Sequence, residues 1–416
     1  MNSRRLNSNH VRTVTETDNS ASGDLKRGIV IGLVSFFTLI DLFAAQAILP
    51  TLAVEYGVSP AVMGSSVNAS TLGMALAGLI VALVSKKINR RAGVWISLAL
   101  LSVPTVLLAH APDITSFAIL RVAQGVFMAT AFTLTMAYLA EECTAAQAAG
   151  AMAAYITGNV ASNLVGRVVA ASVVNAAGLD VNFYLFAALN LAGAALAFAS
   201  FTQAKPRPTM GIAPSTPGEM RESWLIHLAN RSLAASFAIG FLILFAFIGV
   251  FTYINFVLAG EPFRLSPAML GVVYLVFIPS MITTPFAGAY AAAFGVRHAY
   301  WLALIVTAFG LSLTLLGKLW LVICGLALVA AGLFFAQAVA TAFVGRAAIG
   351  DRTSASGLYL GSYYMGGLAG SVIVGVLFNQ FGWIASVSAA GAALLIAAWL
   401  GRFLTGRETM TPASLR

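Results

Sequence analysis

The chain has 416 residues, of which 60% are hydrophobic and 9% charged, with a formal net charge of +9. A soluble domain carries about 25% charged residues. This chain has too few to wet a globule, which argues against a soluble enzyme, a disordered protein and a nucleic-acid binder. Its apolar content, about 250 residues, matches the roughly 240 that twelve membrane helices of about 20 residues would need.

Residues 1–27 are polar and lack the short apolar region and small-residue cleavage site of a signal peptide. They read as a disordered cytosolic tail. Apolar runs follow at 28–49, 62–85, 92–110, 114–139, 148–174 and 183–203. A polar, proline-containing stretch, 204–232, separates them from six more at 233–258, 267–292, 299–317, 319–344, 354–379 and 383–405. Residues 406–416 form a second tail. Each run is long enough to cross about 30 Å of hydrocarbon as a helix. The ten-residue alternation of a membrane barrel is absent. The expected architecture is all-α, with a six-helix bundle over 28–203, a cytosolic central loop and a second bundle over 233–405. Pro279 and Pro285 should kink span 8.

Charge placement orients the chain. With the N-terminus inside, 19 of the 23 Lys and Arg residues fall in inner segments, and Arg264 and Lys318 fall outside. That is the positive-inside pattern, and it accounts for the net charge without nucleic acid. The expected location is the inner membrane, multi-pass, with both termini cytosolic. Cys143 and Cys324 fall on opposite sides, so no disulfide joins them. His10, His110, His227 and His298 are scattered and suggest no metal site. There is no G-x-x-x-x-G-K-[ST] phosphate loop and no nucleophile beside a histidine base. No cofactor and no enzymatic activity are expected.

The two halves echo each other. Ala82 to Trp95, after span 2, aligns with Gly288 to Trp301, after span 8, at a shift of 206, matching Arg91 with Arg297 and Trp95 with Trp301. Tyr155 to Gly166 aligns with Tyr359 to Gly370 at a shift of 204. Parallel repeats enclosing a site are a transporter architecture.

These segments resemble the major facilitator superfamily over about 28–405. The stretch from Ala82 to Arg91 is similar to the family's G-x-L-[AS]-D-R-x-G-R-[RK] loop, with Lys86 where the family has aspartate. Arg121-Val-Ala-Gln124-Gly125 is similar to its R-x-x-Q-G motif. Asp41 to Pro50 resembles the D-x-T-x-x-N-x-A-L-P pattern of drug:proton antiporters. Ala137 to Glu142, Tyr155 to Asn159, Gly166-Arg167, Tyr253 to Asn255 and Pro262 to Ser266 resemble the YnfM-like efflux permeases. The resemblance implies two pseudo-symmetric bundles working by alternating access, with proton-coupled export of a small amphipathic or apolar molecule. It also implies a gating loop made by Lys86, Lys87, Arg90, Arg91 and Arg297.

Asp41 is the one acidic residue inside any span. A carboxylate at such depth costs about 2.5–3.5 kcal/mol on insertion scales and is functional by default. It lies about 13 Å below the end of its helix, and Arg121 lies about 12 Å below the same side. At matching depth the two are expected to pair in the cavity, where Asp41 would carry a proton. A fixed ion pair and a substrate anchor are the alternatives. Arg167 either snorkels or lines the cavity. Gln46, Gln124, Asn159, Asn163, Tyr253, Asn255, Gln337, Tyr359, Tyr363 and Tyr364 are the candidate cavity wall. Helix-to-helix hydrogen bonding, or an interfacial belt for Tyr253, would explain some of them equally well. The expected partners are a small-molecule substrate, protons and the lipid bilayer, acting on a monomer. Uptake of an organic anion or sugar, clamped by Arg121 and Arg167, is a second reading. A non-transporting receptor or assembly partner is a third.

Overall fold

In hydrocarbon a backbone must satisfy its own polar groups, so an apolar run of spanning length closes into a helix. The computed structural model describes residues 27–84, 88–142, 145–201, 224–348 and 352–404. Lys86, Lys87 and Cys143, and most of the expected central loop, lie outside the described residues. Among the described residues, eleven helices are long and apolar enough to cross a membrane. In chain order they are α1 (Arg27–Ala47), α2 (Pro60–Val81), α3 (Arg90–Leu108), α4 (Ile114–Glu142), α5 (Ala145–Ala177) and α6 (Leu179–Ser200). Then come α7 (Arg231–Ala259), α8 (Pro267–Phe294), α9 (Val296–Leu313) and α10 (Leu319–Ala347). The last helix, Arg352–Gly401, is two spans, α11 (352–381) and α12 (383–401). They part at Gly382, whose φ of 73° and ψ of −161° no helix allows. That gives the twelve spans expected.

Local chemistry sets the ends. Ser59 and Ser266 each accept a hydrogen bond from the backbone N–H three residues on, with proline next in sequence, so α2 and α8 start alike. Asn89 and Asn230 cap α3 and α7 in the same way. Asp113 accepts from the N–H groups of Thr115 and Ser116 at the start of α4. The prolines of α8 act as expected. Short 3-10 turns at Tyr274–Phe277 and Thr284–Phe286 interrupt the helix around Pro279 and Pro285. Beyond α1 the chain breaks at Ile48 and continues as a short helix, Leu49–Glu55, with Pro50 in its first turn.

Packing follows the repeat. In the first half α3 lies against α4 and α6; in the second, α9 lies against α10 and α12. Between the halves α2 runs along α11, and α5 meets the first part of α8. There a Cβ on Gly271 would sit 2.8 Å from the Ala171 methyl group. Close helix approach needs glycine at two places that matter here. A Cβ on Gly125 of α4 would collide with the carbonyl oxygen of Ser70 in α2, and one on Gly366 of α11 with that of Phe241 in α7.

Of the residues expected in the gating loop, Arg90, Arg91 and Arg297 are among those described. Arg91 Nη2 donates to the Phe198 carbonyl at 2.7 Å, and its guanidinium lies 5.1 Å from the Phe198 ring. Arg297 Nη2 donates to the Arg402 carbonyl at 2.7 Å. Each therefore ties the start of the third helix of its half to the end of the sixth in the same half. A cation suits the free carbonyls of a helix C-terminus. The repeated tryptophans do the same work: Trp95 packs edge-on against Phe198, and Trp301 donates to the Ala398 carbonyl at 3.1 Å. Arg90 donates to the Ile88 carbonyl at 3.3 Å.

Candidate functional site

Two buried polar centres share α1. The first surrounds Asp41, which is 3% exposed. Its Oδ2 lies 2.6 Å from Asn190 Nδ2 on α6, 2.9 Å from Thr105 Oγ1 on α3 and 3.4 Å from Gln124 Nε2 on α4. All three partners are neutral. Arg121 is 1% exposed and does not contact the carboxylate. Its Nε donates to the Val67 carbonyl at 2.8 Å, its Nη1 to the Asp41 carbonyl and to Gln124 Oε1 at 2.6 Å, and its Nη2 to Ser70 Oγ and the Leu42 carbonyl. Among the described residues the ion pair present is Arg264 with Glu261, in a loop. The expected direct pairing of Asp41 with Arg121 is thus corrected. Gln124 stands between them, receiving from the guanidinium and donating to the carboxylate.

The R-x-x-Q-G spacing explains this relay. Gln124 lies three residues after Arg121, one turn along the same face. Gly125 lets α4 come close enough to α2 for Arg121 to reach Val67 and Ser70. The location is also corrected. Asp41 is bonded to α3, α4 and α6 inside the first half, rather than facing a cavity between the halves. Thr105 and Asn190 went unnoticed in the sequence. An asparagine within an apolar span was the available signal for Asn190.

The second centre bridges the halves. Gln46 on α1 accepts from Arg167 Nη2 on α5 and donates to Asn68 Oδ1 on α2 at 2.7 Å. Asn68 Nδ2 in turn lies 3.1 Å from Thr252 Oγ1 on α7. Asn255 on α7 donates to the backbone carbonyl of Gln46 at 3.0 Å. It also accepts from the hydroxyl of Tyr274 on α8 at 2.6 Å. Proline supplies the reason for the carbonyl contact. Residue 50 would bond the carbonyl of residue 46 in a continuous helix, and Pro50 has no N–H. Arg167 is fully buried, so snorkelling is ruled out. Its guanidinium carbon lies 4.4 Å from the Tyr274 ring centre, 4.9 Å from Phe277 and 5.4 Å from Phe43. Asn163, one turn before Arg167, is buried on the same face.

The remaining candidates lie elsewhere. Gln124 belongs to the Asp41 centre. Tyr253 is fully buried, not interfacial: its hydroxyl donates to the Ser371 carbonyl and its ring stacks on Phe378 at 5.3 Å. Tyr359, Tyr363 and Tyr364 form an aromatic group on α11, with Thr341 donating to Tyr359 at 3.2 Å. Asn159 and Gln337 are half-buried and join neither centre.

The family model of the major facilitator superfamily matches residues 31–282. This chain belongs to the major facilitator superfamily. An MFS-type transporter of Bacillus subtilis (strain 168), YybF, is 28% identical over 371 residues, covering 89% of this chain and 91% of that protein. The inner membrane transport protein YnfM of Escherichia coli (strain K12) is 29% identical over 353 residues, covering 85% of this chain and 83% of that one. Among solved structures, a bacterial homologue of the human lysosomal transporter Spinster, inward-facing and occupied, superposes with a TM-score of 0.69. The identity there is 13%, over 91% of this chain and 93% of that one, which establishes the shared fold. This facilitator is a multi-pass membrane transporter with the alternating-access fold, and its relatives are transporters rather than enzymes.

Proposed function

We propose that this facilitator is a proton-coupled secondary transporter, with Asp41 as the proton carrier, exporting a small organic molecule. The observation behind this is the Asp41 carboxylate itself, buried and held by neutral donors rather than locked to Arg121. Amides and hydroxyls can turn when a proton arrives; a direct ion pair would have to break. The proton centre and the cargo centre are then separate, joined by α1. Gln46 follows Asp41 by five residues, about 7.5 Å along the helix. One proton crossing about 100 mV supplies about 2.3 kcal/mol, enough for nearly fifty-fold accumulation. Export is favoured by the resemblance of Asp41 to Pro50 to the drug:proton antiporter pattern. On this reading the protein acts as a monomer of two six-helix halves. The basic side, carrying both termini, is cytosolic, as the positive-inside rule directs.

The test is proton movement in everted vesicles on addition of cargo. Asp41→Asn is expected to abolish it while leaving the protein in the membrane. Undiminished proton movement in that variant sinks the proposal.

A further inference from the structure

Two guanidiniums are buried in this transporter to the same degree, and they differ in how well they are satisfied. Every nitrogen of Arg121 donates to a protein oxygen. Arg167 donates from Nη2 to Gln46 and has the Tyr274 hydroxyl beside it, while its Nε and Nη1 find no protein acceptor. One turn earlier, both amide atoms of Asn163 are buried without a partner. Arg167 and Asn163 thus aim unmatched polar atoms from one face of α5. Among the described residues no carboxylate is within ion-pairing distance of Arg167.

On the other side the polar group beside the guanidinium is the Tyr274 hydroxyl, whose proton goes to Asn255. The rings of Tyr274, Phe277, Phe43, Phe251 and Phe247 all have their centres within 5.9 Å of the Arg167 guanidinium carbon. Ring faces attract a cation but accept none of its hydrogen bonds in the plane of the guanidinium. A buried cation left in that condition is costly unless an anion completes it. The site bridges both halves, where a transported molecule must be held.

We propose that Arg167 and Asn163 together bind the carboxylate of a small monoanionic cargo, whose apolar body lies among the surrounding rings. Arg167 supplies the charge and Asn163 a neutral amide donor. A single charge is required because Arg167 is the one cation of this centre; Arg121 is already matched to carbonyls and to Gln124. A dianion would carry an uncompensated charge into a dry site. This assignment rests on the chain being a transporter with its cargo held between the halves, but not on proton coupling.

The test is equilibrium binding to the purified full chain at one pH without a gradient, so its outcome is independent of whether protons are coupled. Benzoate, phenylacetate and hexanoate are compared with their neutral amides, and benzoate with phthalate, by thermal shift in phosphatidylcholine nanodiscs. At least one monocarboxylate is expected to stabilise the protein saturably. Its amide should show no shift, and phthalate should bind at least tenfold more weakly. Arg167→Gln should abolish the shift. Asn163→Ala, which removes an amide with no protein partner, should weaken binding about tenfold while leaving the unliganded midpoint unchanged. The proposal is overturned if no carboxylate shifts the wild type, if acid and amide act alike, or if both variants bind as the wild type does. It is also overturned if phosphatidylglycerol replaces the carboxylate effect in an Arg167-dependent way, since the anion would then be a lipid headgroup.

Discussion

Asn255 holds the two halves together at a place where the backbone of α1 has been left incomplete. Replacing it by leucine, of nearly the same size, removes two bonds within α7, to carbonyls already in the helix ladder, and two to other helices: the 3.0 Å bond to the Gln46 carbonyl and the 2.6 Å bond from Tyr274. With Pro50 one turn away and lacking its N–H, the carbonyl has no helical donor to fall back on. In the closed arrangement both groups would stay buried and unmatched, at about 1–2 kcal/mol each. In an arrangement with the halves parted on this side, water satisfies both. The closed form is therefore weakened by about 2–4 kcal/mol relative to the open one, a change of roughly 30- to 700-fold in their ratio. Cysteine labelling reads this directly. Ala53 is buried in a cluster that Phe256, the neighbour of Asn255, packs against. Ala53→Cys, with Cys143 and Cys324 replaced by serine, should react with a membrane-impermeant maleimide at least tenfold faster when Asn255→Leu is added. A rate within twofold of the parent, in protein that elutes as a single species, refutes the reasoning.

Four further outcomes follow from the geometry. Gly125→Ala places a methyl group against the Ser70 carbonyl and should cost about 1–3 kcal/mol, read as a lower thermal midpoint, whereas Gly78→Ala, with open space around it, should not. Asn190→Leu removes a hydrogen bond to a buried carboxylate, worth about 1.5–3 kcal/mol, and should lower the midpoint and slow cargo-driven proton movement together. Arg91→Gln and Arg297→Gln should each cost under about 1 kcal/mol and leave transport rates within a factor of two; a selective loss of transport would restore them as gates. Asp113, outside the spans, is held below the ordinary carboxylate value by the backbone and side chain of Ser116. Its cap on α4 is therefore present above that value and lost as pH falls through the depressed one, which faster amide exchange at Thr115 and Ser116 in acid should reveal.

The spans were legible because the bilayer imposes one solution on an apolar run. Even the break at Gly382 coincides with the gap left between the last two runs. The charged residues of the site were legible because they are scarce: Asp41, Arg121 and Arg167 are conspicuous in hydrocarbon. Their partners were not. Depth along a helix can be counted from its ends, but the direction a side chain faces cannot, so equal depth suggested an ion pair where Gln124 intervenes. Thr105 and Tyr274 look in sequence like ordinary small or aromatic core residues. The partners of Arg91 and Arg297 are backbone carbonyls, which no residue type announces.

The division between the two centres has a mechanical consequence. The Asp41 centre, with Arg121, draws on α1, α2, α3, α4 and α6, all in the first half, and the Arg167 centre on α1, α2, α5, α7 and α8, across both. α1 and α2 belong to each, since Asn68 of α2 joins the second and Val67 and Ser70 of α2 hold Arg121 in the first. Gly125 fixes α4 against α2, so a rearrangement at Asp41 on the proposed reading is taken up by α1. The far end of that motion is Gln46, whose side chain holds Arg167 and whose carbonyl holds Asn255. A displacement of about 1 Å there carries a 3.0 Å hydrogen bond beyond useful length. Proton and cargo would then act on each other through the position of one helix rather than by sharing a site. Such a coupling is reciprocal: whatever factor a bound proton changes in cargo affinity, bound cargo must change in proton affinity. Gln46 is the residue that carries that factor on this reading, because its side chain makes the hydrogen bond between Arg167 and the helix that carries Asp41, with the Phe43 ring packed beside it.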